Sequence, residues 1–391
     1  MTEPPTGSNR KPSALLSTMA VIYPQQARFL HRVGLMLGVA GLALIAGCAT
    51  GPGGGAGSKS KYIFYPSPPA APRLQFLTSY SDEIDLGLEV SKLASFITGA
   101  TPRSQPIVKP YGVVLTSNQL WVCDTMTRSV DMLDLVHKTM SRFSPADAGK
   151  FGTPVNLALD ADGTRYVADT GRNRVLIYGP DEAFRGEIGE DGSLRPTGVA
   201  VGADRIYVAD IKSHCVRVYA KGDRKFLFTI PRVPEAEEEK EPGKLYMPVN
   251  LALDQSGRLY VSDMGPCRIQ MYDPDGKHLR SLGTRGDLPG QFARPKGLAV
   301  DRENRLYVVD AATQVCQIFD ADGKLLLYFG EPEGSQAPLN LPAGIAVDYD
   351  HLGLFQQFVA PDFVLEVLVI ITNQYGPKKV SLYGLGHKKG P

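Results

Sequence analysis

Five segments of this chain repeat one pattern: a proline, two further residues, an apolar triplet, a turn, an apolar-aromatic run and an aspartate. They run from Pro110 to Asp124, Pro154 to Asp169, Pro196 to Asp210, Pro248 to Asp263 and Pro295 to Asp310. Proline and aspartate stand 14 or 15 residues apart in each, and successive aspartates are 45, 41, 53 and 47 residues apart. The register continues downstream. Six residues past each aspartate stand Val130, Val175, Val216, Ile269 and Cys316; eight past it stand Met132, Ile177, Val218, Met271 and Ile318. Side chains two apart share one face of a strand, so these positions predict a buried face. A further apolar segment closes each unit, from Met140 to Phe143, Phe184 to Ile188, Phe226 to Ile230, Leu279 to Leu282 and Leu325 to Phe329. Each unit is thus four short strands. Units of this kind, recurring at roughly 40 to 50 residues, are the blades of a propeller, where stacked neighbours bury what one unit cannot.

A sixth, altered unit follows. Pro342 to Asp348 restarts the pattern, Val364 to Ile371 and Lys379 to Tyr383 supply its second and third strands, and Asn373 replaces the aspartate. No fourth strand remains after Tyr383, so Arg73 to Tyr80, which has strand composition, is assigned as the missing outer strand. Pairing the two chain ends leaves only short, protected edges. The stretch Asp169-Thr170-Gly171-Arg172-Asn173-Arg174-Val175-Leu176-Ile177-Tyr178, after Leu157-Ala158-Leu159-Asp160, resembles the NHL repeat, and 108–330 resembles a run of five. No Gly-His or Trp-Asp pair recurs, which sets WD-type repeats aside. Trp121, the single tryptophan, takes the place held by Tyr166, Tyr207, Tyr260 and Tyr307. The expected fold is an all-β, six-bladed β-propeller over 62–386, built from NHL-like repeats and closed by an N-terminal strand in the last blade, with 387–391 as a tail.

Ahead of the ring the sequence reads as an address. Arg28 to Arg32 is basic, Val33 to Ala46 is an uncharged run of 14 residues, and Cys48 follows Ala46 and Gly47. That is the basic, apolar and small-residue order of a secretory signal, and the apolar run is short of the roughly 20 residues that span a bilayer. It resembles the bacterial lipobox, which implies that 1–47 is a signal peptide and that Cys48 carries the lipid. Ala49 rather than Asp follows the cysteine, which under the enteric sorting rule implies the outer membrane, facing the periplasm. The Gly-rich stretch Gly51 to Ser58 gives 48–61 the character of a flexible tether. With no strand before it and no Lys-Ser or Lys-Thr pair after it, it is not a phosphate loop. The whole resembles bacterial six-bladed propeller lipoproteins of the NHL class. The partners this implies are the membrane, through the lipid, and a protein of the cell envelope.

Charge adds no competing direction: 42 Lys plus Arg against 41 Asp plus Glu leaves no basic excess for nucleic acid. Asp124, Asp169, Asp210, Asp263 and Asp310, one per unit, read as turn formers that bond nearby backbone amides, not as acids or metal ligands. Two residues past the blade-opening proline stand Gly112, Gly198, Gly297 and Gly344, where the strand turns toward the axis and space is short. Asn156 and Asn250 take that place in units two and four. Two readings stand for them: amides at the channel rim that bind a polar ligand or cation, or glycine substitutes at unusual backbone angles.

Motifs of reactive chemistry are sparse in the sequence. No Cys-x-x-Cys, Cys-x-x-Cys-His, His-Glu-x-x-His or Gly-x-Ser-x-Gly pattern occurs, and no catalytic residue, metal or cofactor is assigned. Cys316 replaces a Val or Ile and reads as a buried small hydrophobe, while the pairing of Cys123, Cys215 and Cys267 is open. Loops carry specificity in such folds. Pro234 to Pro242 reads as a solvated charged loop; the insertion around His351 to Phe358 either contacts another molecule or covers the ring itself. Leu86, Val90, Leu93, Ala94 and Ile97 share one helical face and predict a short helix packed on the ring. The expected function is non-catalytic binding or scaffolding in an envelope complex. The alternative is a lactonase-like hydrolase or lyase at the channel mouth, although the Pro-Asn-Gly type motif of such propellers is absent.

Overall fold

The computed structural model describes residues 62–67, 69–87, 105–189, 193–231, 243–330 and 337–390. Cys48, the signal peptide, the tether, the charged insertion at 234–242 and the helix expected beyond Gly87 lie outside the described residues. Six antiparallel sheets follow one another along the chain. Blade one comprises Pro110–Thr116, Gln119–Asp124, Ser129–Asp134 and Thr139–Phe143, in that order from the axis outward. Blades two to five repeat it, with first strands Pro154–Leu159, Pro196–Val201, Pro248–Leu253 and Pro295–Val300. Each first strand opens on its proline, which has no N–H to give a ladder. In all six the pairing then slips between the proline and the residue two or three further on. That bulge sets the innermost strand at the close-packed axis.

Blade six is made from both chain ends. Pro342–Asp348, Phe363–Asn373 and Val380–Lys388 come from the C-terminal side, and Leu74–Tyr80 pairs with the last of them from Leu74↔Leu385 to Tyr80↔Val380. The closure expected from the sequence is therefore the closure observed. The blade has a fifth strand, Ile63–Tyr65, laid outside Leu74–Tyr80, where four strands were expected. Its last C-terminal strand also reaches Lys388, two residues into the stretch expected as a tail.

Six apolar clusters fill the six joints between neighbouring blades. The first holds Trp121, Cys123 and Val130 against Leu157, Val167 and Tyr178. The cluster that closes the circle joins Leu77 and Tyr80 of the N-terminal strand to Leu120 and Val122 of blade one and Leu368 and Ile370 of blade six. Fully burying one such side chain contributes about 1.5–3 kcal/mol, so the three that the N-terminal strand supplies, Leu74, Leu77 and Tyr80, contribute about 4.5–9 kcal/mol, comparable to the whole net stability of a domain. The ring therefore closes as a unit.

The blade-six insertion settles against this seam. Its 3-10 helix, Leu352–Phe358, buries Phe355 in the same cluster. Gln75, fully buried on the N-terminal strand, donates through Nε2 to the Phe358 carbonyl at 2.8 Å and accepts from Ala360 N–H at 3.0 Å. Of the two readings open for the insertion, the geometry selects cover for the ring's own surface. The four ring cysteines are free thiols, and Cys316 fills a fully buried apolar slot as expected.

Candidate functional site

The repeat aspartates end the second strand of each blade and are all fully buried. Asp124 accepts from Met126 and Thr127 in its own turn, as the sequence suggests, and also from Val108 and Lys109 ahead of the first strand. Asp169 does the same with Gly171, Arg172, Gly152 and Thr153. Asp310 repeats it with Ala312, Thr313, Ala293 and Arg294. In blades three and four an arginine replaces part of the set: Arg217 Nε bonds Asp210 at 2.8 Å and Arg268 Nε bonds Asp263 at 3.4 Å. Each carboxylate thus latches the incoming loop to its own blade. Asn373 does this in blade six with the polarity partly reversed, accepting from Asn340 N–H and donating to the Lys378 carbonyl and Ser381 Oγ.

The glycines two residues past the prolines sit where neighbouring blades touch. A Cβ on Gly112 would lie 2.8 Å from Asn156 Cα, one on Gly198 3.0 Å from Asn250 Cα, and one on Gly344 2.2 Å from the Tyr111 carbonyl oxygen. Close approach, not backbone freedom, selects glycine there. Asn156 and Asn250 accordingly do not occupy positive φ, so the reading of them as glycine substitutes at unusual angles is overturned. Both line the channel. Their carboxamide oxygens are committed to backbone, Asn156 to Val199 N–H at 3.2 Å and Asn250 to Leu251 N–H at 2.7 Å.

Two cavities lie along the axis and share Gly112, Asn250 and Gly344 in their walls. One, of about 260 Å³, is lined by the apolar side chains of the first strands, among them Leu157, Val199 and Leu251. The other, of about 440 Å³, opens where the first strands begin. Its wall takes one residue from every blade, always the one after the proline: Tyr111, Val155, Thr197, Val249, Lys296 and Ala343. Arg294 and Met264 join the three shared residues to complete it.

Lys296 dominates the electrostatics of this mouth. Its Nζ lies 5.0 Å from the centroid of the Tyr111 ring. Burial, followed by the nearby charges of Arg294 and Lys109, pulls the ammonium down to about 8. Tyr111 is itself pushed up, chiefly by burial. No carboxylate or imidazole stands in either cavity wall, and among the described residues no group of three or more His, Cys, Asp or Glu is placed to hold a metal ion. Sequence reasoning missed Lys296, Arg294 and Tyr111. The signal was one position away from the glycines it followed, since among the six residues after the prolines only Lys296 is charged.

Comparison with known proteins supports the repeat and the architecture. The family model of the NHL repeat matches residues 194–219, which cover the first two strands of blade three and all but the last residue of its third. The protein Brain tumor of Drosophila melanogaster is 27% identical over 146 residues, 34% of this chain and 13% of that protein, so the match spans a small part of that relative's length. Among solved structures, a gluconolactonase from Xanthomonas campestris superposes with a TM-score of 0.52 at 17% identity, covering 81% of this chain and 98% of that one. A protein of unknown function from Bacteroides thetaiotaomicron gives 0.52 at 16% identity, covering 71% and 70%. At such identities the likeness speaks for the fold alone. This chain is a six-bladed β-propeller in which residues 194–219 match the NHL repeat.

Proposed function

We propose that this propeller is a non-catalytic binding module of the bacterial cell envelope, tethered by a lipid on Cys48 to the outer membrane and holding a protein partner in the periplasm. The observation that carries the reading is the make-up of the channel: neither cavity presents a carboxylate or an imidazole. Hydrolases and lyases work through positioned acids and bases, and the repeat aspartates that could have served are committed to backbone N–H groups. A lactonase-like hydrolase or lyase is the competing reading. It has one candidate base in the mouth, Lys296, whose ammonium is held at about 8.

Crosslinking in intact cells followed by purification of the tethered chain tests the proposal. The expected result is a membrane-bound chain with a stoichiometric envelope partner, and release into the soluble fraction by Cys48→Ser. Absence of a partner, together with turnover of lactones or esters that Lys296→Met abolishes, overturns it.

A further inference from the structure

The mouth of the channel is built to take a charged small molecule, and this inference stands apart from the docking of any protein. We propose that the 440 Å³ cavity binds one organic anion, a carboxylate, sulfonate or phosphate carried on an apolar or aromatic body, with Lys296 and Arg294 holding the acid group. The size falls within the range of small-ligand pockets, about 300–1,000 Å³.

Three features select the class. First, Lys296 and Arg294 share the wall with no acidic side chain, the repeat carboxylates Asp124 and Asp310 being committed to backbone N–H groups, and Lys109 adds its field to theirs. Like charges gathered in a half-buried site repel one another, and an anion relieves all three at once. Second, the remainder of the wall is mostly apolar, with Val155, Val249, Met264 and Ala343 beside the polar Thr197 and Asn250 and with the Tyr111 ring next to the ammonium. A bare inorganic anion gains nothing from the apolar groups, and a divalent cation finds no ligand among them. Third, Lys296 and Tyr111 stand on first strands packed at the axis, with Arg294 in the loop just ahead of Pro295, so the Lys296–Tyr111 side of the site exists before the ligand arrives.

Protonation couples to binding. The ammonium of Lys296 titrates near 8 in the empty mouth, and an anion at hydrogen-bonding distance raises that value, so binding takes up protons above pH 7. Affinity is therefore expected to fall as pH rises from 7 to 9.5.

Calorimetric titration of the full chain tests the proposal with naphthalene-1-carboxylate, its uncharged carboxamide and inorganic phosphate. The expected outcome is one carboxylate bound per chain, at least tenfold tighter than the carboxamide or phosphate. Lys296→Met, which keeps the stem, and Arg294→Gln each weaken the carboxylate tenfold or more and leave the carboxamide within twofold. Lys296→Arg retains binding but loses the pH dependence, which keeps the test decisive if the Met variant folds poorly. Equal affinity for carboxylate and carboxamide, an unaffected Lys296→Met, tighter phosphate than carboxylate, or no binding at all overturns the proposal. None of these results bears on whether a protein partner is recovered by crosslinking.

Discussion

Replacing Asp310 isolates what one blade latch is worth. Its carboxylate is fully buried and accepts backbone N–H from Ala293 at 2.6 Å, Arg294 at 2.9 Å, Ala312 at 2.9 Å and Thr313 at 3.1 Å. A buried donor left without a partner costs about 1–3 kcal/mol. Water enters the space an alanine leaves, so the low end applies, and Asp310→Ala loses about 4 kcal/mol over four donors. Asp310→Asn keeps Oδ1 for the turn and for the Arg294 N–H, which reaches it at 3.1 Å, and turns an amino group toward Ala293, a loss of about 1–2 kcal/mol. Guanidinium unfolding followed by the fluorescence of Trp121 measures both. Trp121 sits in the joint between blades one and two, so its transition reports a change made in blade five only if the ring unfolds cooperatively. A loss below 1 kcal/mol for Asp310→Ala, or an Asn variant as damaged as the Ala variant, refutes the latch. Blade six supplies the converse: Asn373→Asp faces a carboxylate with the Lys378 carbonyl that Nδ2 now satisfies at 2.9 Å, and it is expected to destabilise by about 1–3 kcal/mol.

Gly344→Ala is expected to lower the melting temperature strongly, since its Cβ would fall 2.2 Å from the Tyr111 carbonyl oxygen, while Gly353→Ala, with nothing within 4 Å, serves as the near-neutral control. Removing Arg73 to Tyr80 is expected to abolish cooperative unfolding, and Gln75→Ala to weaken it by orphaning the Phe358 carbonyl and the Ala360 N–H; an unaltered melting transition in the deletion variant counts against closure at this seam. Asp131 offers a pH test. Burial raises its carboxyl to about 6 against the bond from Arg142 Nε at 2.7 Å, and its Oδ2 has no partner. A carboxyl with a raised folded value destabilises when ionised, so its penalty is present above pH 6 and is relieved as pH falls toward 4. At 1.36 kcal/mol per pKa unit the relief approaches about 3 kcal/mol. Asp131→Asn is expected to flatten that rise in stability measured by denaturant titration at pH 4 to 7.5, and a variant that tracks the wild type refutes it.

What could be read from the sequence was what repeats. The prolines, the strand faces and the aspartate of each turn recur because every blade solves the same packing problem with its own local residues, and one unit therefore explains the others. The outer strand from Arg73 to Tyr80 was recoverable by subtraction, since blade six lacked an edge. Ile63–Tyr65 was not, because three residues beside a proline-rich lead-in carry no period. The aspartates were only half legible: their bonds two and three residues on follow from turn chemistry, but the bonds to Val108, Gly152 and Ala293, 16 or 17 residues earlier in the chain, exist only once the first strand has folded back.

The channel mouth shows the same limit at the point where function is expected. Asn156 and Asn250 drew attention because they interrupt a glycine series, yet the geometry gives each oxygen to a backbone N–H. Lys296 broke no pattern, since the residue after each proline varies freely among Tyr, Val, Thr, Lys and Ala. Its meaning comes from the axis. Six side chains of five kinds become one wall when the blades close, and a lysine that would be an ordinary solvated cation on a flat sheet is turned into a half-buried charge in the field of two others. A departure from the repeat identifies a blade's packing constraint; the site arises at the position the repeat leaves unconstrained, where sequence is free to vary and ring geometry forces the variants together.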